Sequence, residues 1–221
     1  MSLESIPRLL ADCRARGYAI GYFESWNLES LLGVIDAAEK THSPILIGFN
    51  GEFLTHPQRI FPERIALYAA LGKAAAASAS IPCGLVFNEC PLESAVYQAI
   101  QEGFSLVMLS DPAANPENFV EKVAALSRSA HAHGAAVEAE LGELPSGESG
   151  FIDHRHSTLT DPVLAARFVA ATGIDCLSVS VGNVHIMVEG RQELNFGLLQ
   201  EIHRLTPIPL GLHGGSGISS S

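Results

Sequence analysis

The chain has 221 residues, of which 47% are hydrophobic and 17% charged, with a formal net charge of −11. That composition suits one domain of ordinary size with a real core. It argues against a nucleic-acid surface, since no Lys/Arg cluster appears anywhere in the chain. No apolar run reaches the ~18 residues that a bilayer span needs, and the N-terminus lacks a basic-then-apolar leader pattern. The four cysteines, Cys13, Cys83, Cys90 and Cys176, are scattered without a C-x-x-C pair. They read as reduced thiols of a cytoplasmic protein.

In chain order, Ser5 to Arg16 places Ile6, Leu9, Leu10 and Cys13 on one face, which predicts a helix stopped by Gly17. Tyr18 to Phe23 reads as a buried strand, and Asn27 caps a helix through Leu31, Leu32, Ile35 and Ala38 to about Thr41. Pro44 opens the strand Ile45 to Phe49, which runs into the polar turn Asn50-Gly51, and Pro62 starts a long alanine-rich helix. The alternation then repeats. Strands are predicted at Cys83–Phe87, Leu106–Leu109, Ala136–Leu141 and Cys176–Val181, and helices at Leu92–Glu102, Pro116–His133, Asp161–Thr172 and Phe196–Arg204. A last short strand, Pro209-Leu-Gly-Leu, breaks at His213 into the turn Gly214-Gly-Ser-Gly217.

Mostly apolar strands joined by helices imply a parallel sheet covered by helices. A doubly wound sheet and a TIM barrel both fit that pattern. No G-x-G-x-x-G follows the first strand, and polar residues collect after nearly every strand, which favours the α/β barrel with its single functional face. The expected architecture is therefore one domain over residues 1–221. It would be a TIM (β/α)8-type barrel whose final βα unit lies outside these residues.

The strand ends deliver chemistry to that face. The third strand gives Asn88, Glu89 and Cys90, the fifth Glu138 and Glu140, the sixth Asn183 and His185, and the seventh His213. Imidazoles and carboxylates converging there suit a divalent metal. A hydrogen-bonded loop histidine, or glutamates paired with arginines, would leave the same pattern. His131 and His133 suit a helix C-terminus, while His154 and His156 lie in a loop that could cap a site. Gly214 to Gly217 could hold an anion on backbone N–H groups or form a plain flexible loop.

Several stretches together carry a family resemblance. They are Gly17-Tyr-Ala-Ile-Gly-Tyr-Phe23, Ala37-Ala-Glu-Lys-Thr-His-Ser-Pro-Ile45, Gly103-Phe-Ser-Leu-Val-Met108, Ala130-His-Ala-His-Gly-Ala-Ala-Val-Glu-Ala-Glu-Leu-Gly142, Leu159-Thr-Asp-Pro162 and Leu212-His-Gly-Gly-Ser-Gly-Ile218. On these residues the chain resembles the class II, metal-dependent fructose-bisphosphate/tagatose-bisphosphate aldolases, as a divergent member. The resemblance implies a TIM barrel and reversible aldol cleavage of a ketose phosphate or related sugar, a lyase reaction. It also implies a divalent ion, zinc being the expected metal, and a homodimer or homotetramer.

The resemblance also implies roles. His185 and His213 match two of the three metal histidines, and Glu89 stands at the third. Asn88 stands at the acid/base aspartate, where an amide cannot exchange a proton near neutral pH. Glu140 matches a glutamate beside the metal. The family's Ser-His-Gly-x-x-Lys segment appears as Val184-His-Ile-Met-Val-Glu189, so Ile186 and Glu189 depart from it, and Arg191 could compensate. Gly214, Gly215, Ser216 and Gly217 retain one half of the phosphate site, and the other half is expected beyond Ser221. A non-catalytic paralogue, serving as a binding or regulatory subunit, is the competing expectation.

Overall fold

In the computed structural model, residues 1, 62, 112–114, 148–151, 153–156, 187, 188 and 219–221 lie outside the described residues, as does the Ser216 side chain. His154, His156 and the expected helix start at Pro62 fall there. The chain divides into two compact units, Met1–Glu138 and Ala139–Ser221.

The first unit begins with α1 (Ile6–Arg16), whose buried Ile6, Leu9 and Cys13 follow helical spacing. Gly17, at φ 70°, ends it by donating its N–H to Cys13 O. The N–H of Tyr18 goes to the same carbonyl. The chain is still engaged in that cap where a buried strand was expected, so β1 spans Gly21–Glu24 instead of Tyr18–Phe23, and it alternates between exposed and half-buried residues. Asn27 and Ser30 form a reciprocal capping box that starts α2 (Leu28–Thr41). The apolar β2 (Ile45–Asn50) follows, and its last residue caps a short helix, α3 (Gly51–Thr55), where only a turn was expected. Next come α4 (Ile65–Ser78), β3 (Cys83–Cys90), α5 (Glu93–Gln101), β4 (Leu106–Leu109), α6 (Pro116–Ala132) and β5 (Ala136–Leu141).

Strands β1 to β5 pair in sequence order and all in parallel. Ile6 and Leu9 of α1 pack with Leu46, Val86, Leu106 and Ala136, one residue from each of β2 to β5. Burying each large aliphatic side chain there is worth about 1.5–3 kcal/mol. A parallel ladder with helices returning between strands is the β/α repeat that the apolar runs predict.

The second unit takes the end of β5, then α7 (Pro162–Thr172), β6 (Cys176–Val179), α8 (Phe196–Leu205) and β7 (Leu210–Gly211). Asp161 caps α7 by accepting from the N–H groups of Val163 and Leu164, both at 2.8 Å. Strand β6 pairs in parallel with β7. It stops at Val179, short of the expected Val181, because the next amides turn to side chains. Ser180 N–H donates to Thr160 Oγ1 and Val181 N–H to Asn183 Oδ1. Among the described residues no helix is long and apolar enough to cross a membrane. All four cysteines are buried.

Candidate functional site

In the second unit, His185 follows β6 and His213 follows β7. Both backbones are pinned. His185 N–H donates to Pro145 O at 2.9 Å, and its carbonyl accepts from Gly147 N–H at 2.8 Å. Asn183, fully buried, donates to Val179 O at 3.2 Å and to His213 O at 3.0 Å, tying the exit of β6 to the exit of β7. Its amide is thereby occupied in structure and is not a ligand. Gly214, at φ 68°, lies so close to the preceding segment that a Cβ would meet Val184 O at 2.1 Å. Only glycine lets the two histidine segments approach this far.

The consequence is a juxtaposition of side chains. The imidazoles of His185 and His213 stack, with centroids 5.7 Å apart and planes inclined by 14°. Glu140, from the end of β5, brings Oε2 to 3.5 Å from His213 Nδ1. The two imidazoles offer half of a zinc-type N and O donor set, and Glu140 is a carboxylate beside one of them.

The turn after His213 is an ordered 3₁₀ turn, Gly215–Gly217, not a loose loop. It is tied to the Arg191 segment: Gln192 N–H donates to Gly217 O at 2.9 Å, and the Arg191 guanidinium to Ile218 O at 3.3 Å. Ile186 is exposed and holds φ 50°, a left-handed conformation that a β-branched residue rarely adopts. The backbone keeps a glycine's conformation without a glycine. Glu189 is exposed.

In the first unit, β3 extends past the expected Phe87 to include Asn88, Glu89 and Cys90. Its register with β4 shifts between Phe87 and Cys90, and Glu89 sits there at φ 46°. Such a bulge re-aims a side chain. The Glu89 carboxylate accepts a hydrogen bond from Asn50 Nδ2 at 2.9 Å. Asn88 is buried, in register with Asn50 on β2.

Cys90 is a fully buried thiol whose Sγ donates to Leu92 O at 3.5 Å, and burial pushes its pKa up. It is therefore a core residue, not a ligand. His131 and His133 close α6, with His133 Nδ1 2.8 Å from Ser129 O. That is the structural role expected of them.

Sequence reasoning missed Tyr22, Glu24 and Asn50. Burial holds the Tyr22 phenol well above its usual pKa, and the charges of Glu24, Glu89 and Glu138 add to the shift. The phenolic oxygen has no hydrogen-bond partner among the described residues. Tyr22 and Glu24 alternate along β1, and Glu24 escaped notice because the strand was expected to end at Phe23.

Comparisons with known proteins agree on one family. The family profile "Fructose-bisphosphate aldolase class-II" matches residues 4–221. A protein of Bacillus subtilis (strain 168), named probable fructose-bisphosphate aldolase, is 32% identical over 225 residues, covering 100% of this chain and 76% of that one. The crystal structure of the YdjI aldolase from Escherichia coli K12 superposes with a TM-score of 0.82 at 31% identity, covering 98% of this chain and 75% of that one. A putative fructose-1,6-bisphosphate aldolase from Coccidioides immitis gives a TM-score of 0.82 at 28% identity, over 97% of this chain and 74% of that one. The β/α repeat of both units is thus that of a TIM-type aldolase fold, and the chain belongs to the class II fructose-bisphosphate aldolase family.

Proposed function

We propose that this chain is a divergent, divalent-metal-dependent lyase that reversibly cleaves a ketose phosphate, or a related ketose, by an aldol reaction. The observation that carries the reading is the stacked pair His185 and His213, with Glu140 beside His213. With Glu89 as third ligand, the two histidines would hold the ion in a two-imidazole, one-carboxylate donor set, zinc being the first candidate. When bound, such an ion supplies Lewis-acid polarisation of a substrate carbonyl. Proton movement falls to Glu140, because the buried amide of Asn88 cannot exchange a proton near neutral pH. Arg191 and the backbone of Gly214, Gly215, Ser216 and Gly217 supply the cation and N–H groups for a phosphate.

We further infer a cytoplasmic homo-oligomer, in keeping with four scattered cysteines that lack a C-x-x-C pair and with the family's habit of oligomerising. The second reading, a binding or regulatory subunit, draws its support from Asn88.

Metal analysis of the purified protein, joined to a retro-aldol assay on a panel of ketose phosphates and free ketoses, tests both. The enzyme reading expects a stoichiometric divalent ion, and cleavage that EDTA abolishes and added metal restores. Protein that carries the ion and binds sugar phosphate, yet cleaves nothing, is the regulatory subunit. Protein without an ion, indifferent to EDTA, ends the metalloenzyme reading.

A further inference from the structure

Asn50 is the last residue of β2 and is buried at 6% exposure. Both ends of its amide are engaged. Oδ1 accepts from the N–H of Phe53 at 3.2 Å, which caps α3, and Nδ2 donates to Glu89 Oε2 at 2.9 Å. The amide has only one consistent orientation. Rotating it by half a turn would face its oxygen toward a carboxylate and its NH₂ toward an N–H, losing both bonds.

Glu89 itself leaves a bulged strand at φ 46°, where the backbone alone does not fix a carboxylate's direction. A neutral amide steers that carboxylate without cancelling its charge, whereas an arginine or lysine at position 50 would neutralise it. Groups of this kind, hydrogen-bonded to a ligating side chain, set both its aim and its affinity for a cation.

We propose that Asn50 is a positioning residue for Glu89, holding its carboxylate aimed for a divalent cation while the other end of the same amide holds α3. The inference rests on the reading of Glu89 as a metal ligand. It couples α3 to that ligand through one side chain.

Capping and positioning separate experimentally, because Ser and Asp cap helices about as well as Asn but neither presents an amide N–H to Glu89. Asn50→Ser and Asn50→Asp are compared with wild type by calorimetric or chelator-competition titration with Zn²⁺ and Co²⁺. Metal-free stability and Trp26 emission are followed in parallel. Trp26 is the chain's single tryptophan and packs edge-on against Phe53 at 4.7 Å, so its emission reports whether α3 remains in place.

The expected result is unchanged Trp26 emission with cation affinity about 10–100-fold weaker in both variants. In a Glu89→Gln background neither substitution should cost more, since the carboxylate being aimed is gone. Wild-type-like affinity in Asn50→Ser, or tighter binding in Asn50→Asp, overturns the positioning role while leaving the metal reading intact. A wild type that takes up neither ion, like a His213→Ala control, overturns the metal reading and this inference together.

Discussion

Oε2 of Glu140 lies 3.5 Å from Nδ1 of His213, so a carboxylate from the end of β5 meets an imidazole from the exit of β7. Two roles are open to a carboxylate so placed: orienting the imidazole and moving a proton. Glu140→Gln keeps the size and the hydrogen-bonding oxygen but removes the base. On the proposed lyase reading, kcat for ketose cleavage should fall by about 10²–10⁴-fold, the usual worth of a general acid–base group. Divalent-ion affinity, followed by chelator competition, should fall far less. A kcat within a few-fold of wild type would assign proton transfer elsewhere.

Gly214→Ala tests the close approach that brings the histidine segments together. The added Cβ would meet Val184 O at 2.1 Å, and the backbone is already at φ 68°. Left-handed strain costs about 1–3 kcal/mol, and an overpacked contact with backbone a similar amount. Urea denaturation should therefore show a loss of about 2 kcal/mol or more, and on the proposed metal reading divalent-ion affinity should fall alongside it. An unperturbed melt would mean that the two segments part easily.

Ile186→Gly should behave in the opposite way. Replacing a buried or extended isoleucine with glycine normally destabilises. Here the side chain is 56% exposed and the backbone holds φ 50°, so little burial is lost and strain is released. Relief of about 1–2 kcal/mol roughly offsets the extra freedom that glycine gives the unfolded chain. We expect stability unchanged or slightly raised in denaturant titrations, and tighter binding of inorganic phosphate where the backbone is uncovered. A clear loss of stability would show that the isoleucine makes a contact worth more than its strain.

Cys83 supplies a pH dependence. Burial, with a smaller contribution from the charge of Glu39, raises its thiol pKa to about 11. The fold favours the neutral thiol, so the folded state binds this proton more tightly than the unfolded state does. The stabilisation is complete below the unfolded value of about 8.5 and is lost as pH rises through the folded one. The stability difference between wild type and Cys83→Ala, measured by denaturation at stepped pH, should shrink from about pH 9 upward. A constant difference across that window would contradict the burial argument.

Much of the fold was legible because its determinants are local. Continuous apolar runs announced β2, β3 and β4, and the caps at Asn27 and Asp161 marked α2 and α7 where the structure has them. Helix α3 was not legible, since five residues are too few for a periodicity to show. The end of β6 also escaped, because Thr160 and Asn183 take its last amides, and no pattern within the strand records that.

The family, the β/α repeat and the residue types offered at the strand ends can all be read along the chain. Those follow from hydrophobic spacing, glycine and proline placement, and motifs read along the chain. What those residues do to one another depends on folding. It stacked His185 on His213, set Glu140 beside His213, occupied Asn183 in a backbone tie and bound Glu89 to Asn50. Asn50 and Glu89 are 39 residues apart in sequence, and a hydrogen bond between them depends on strand register and a bulge. No local pattern carries that information, because a contact of this kind forms only when the sheet assembles.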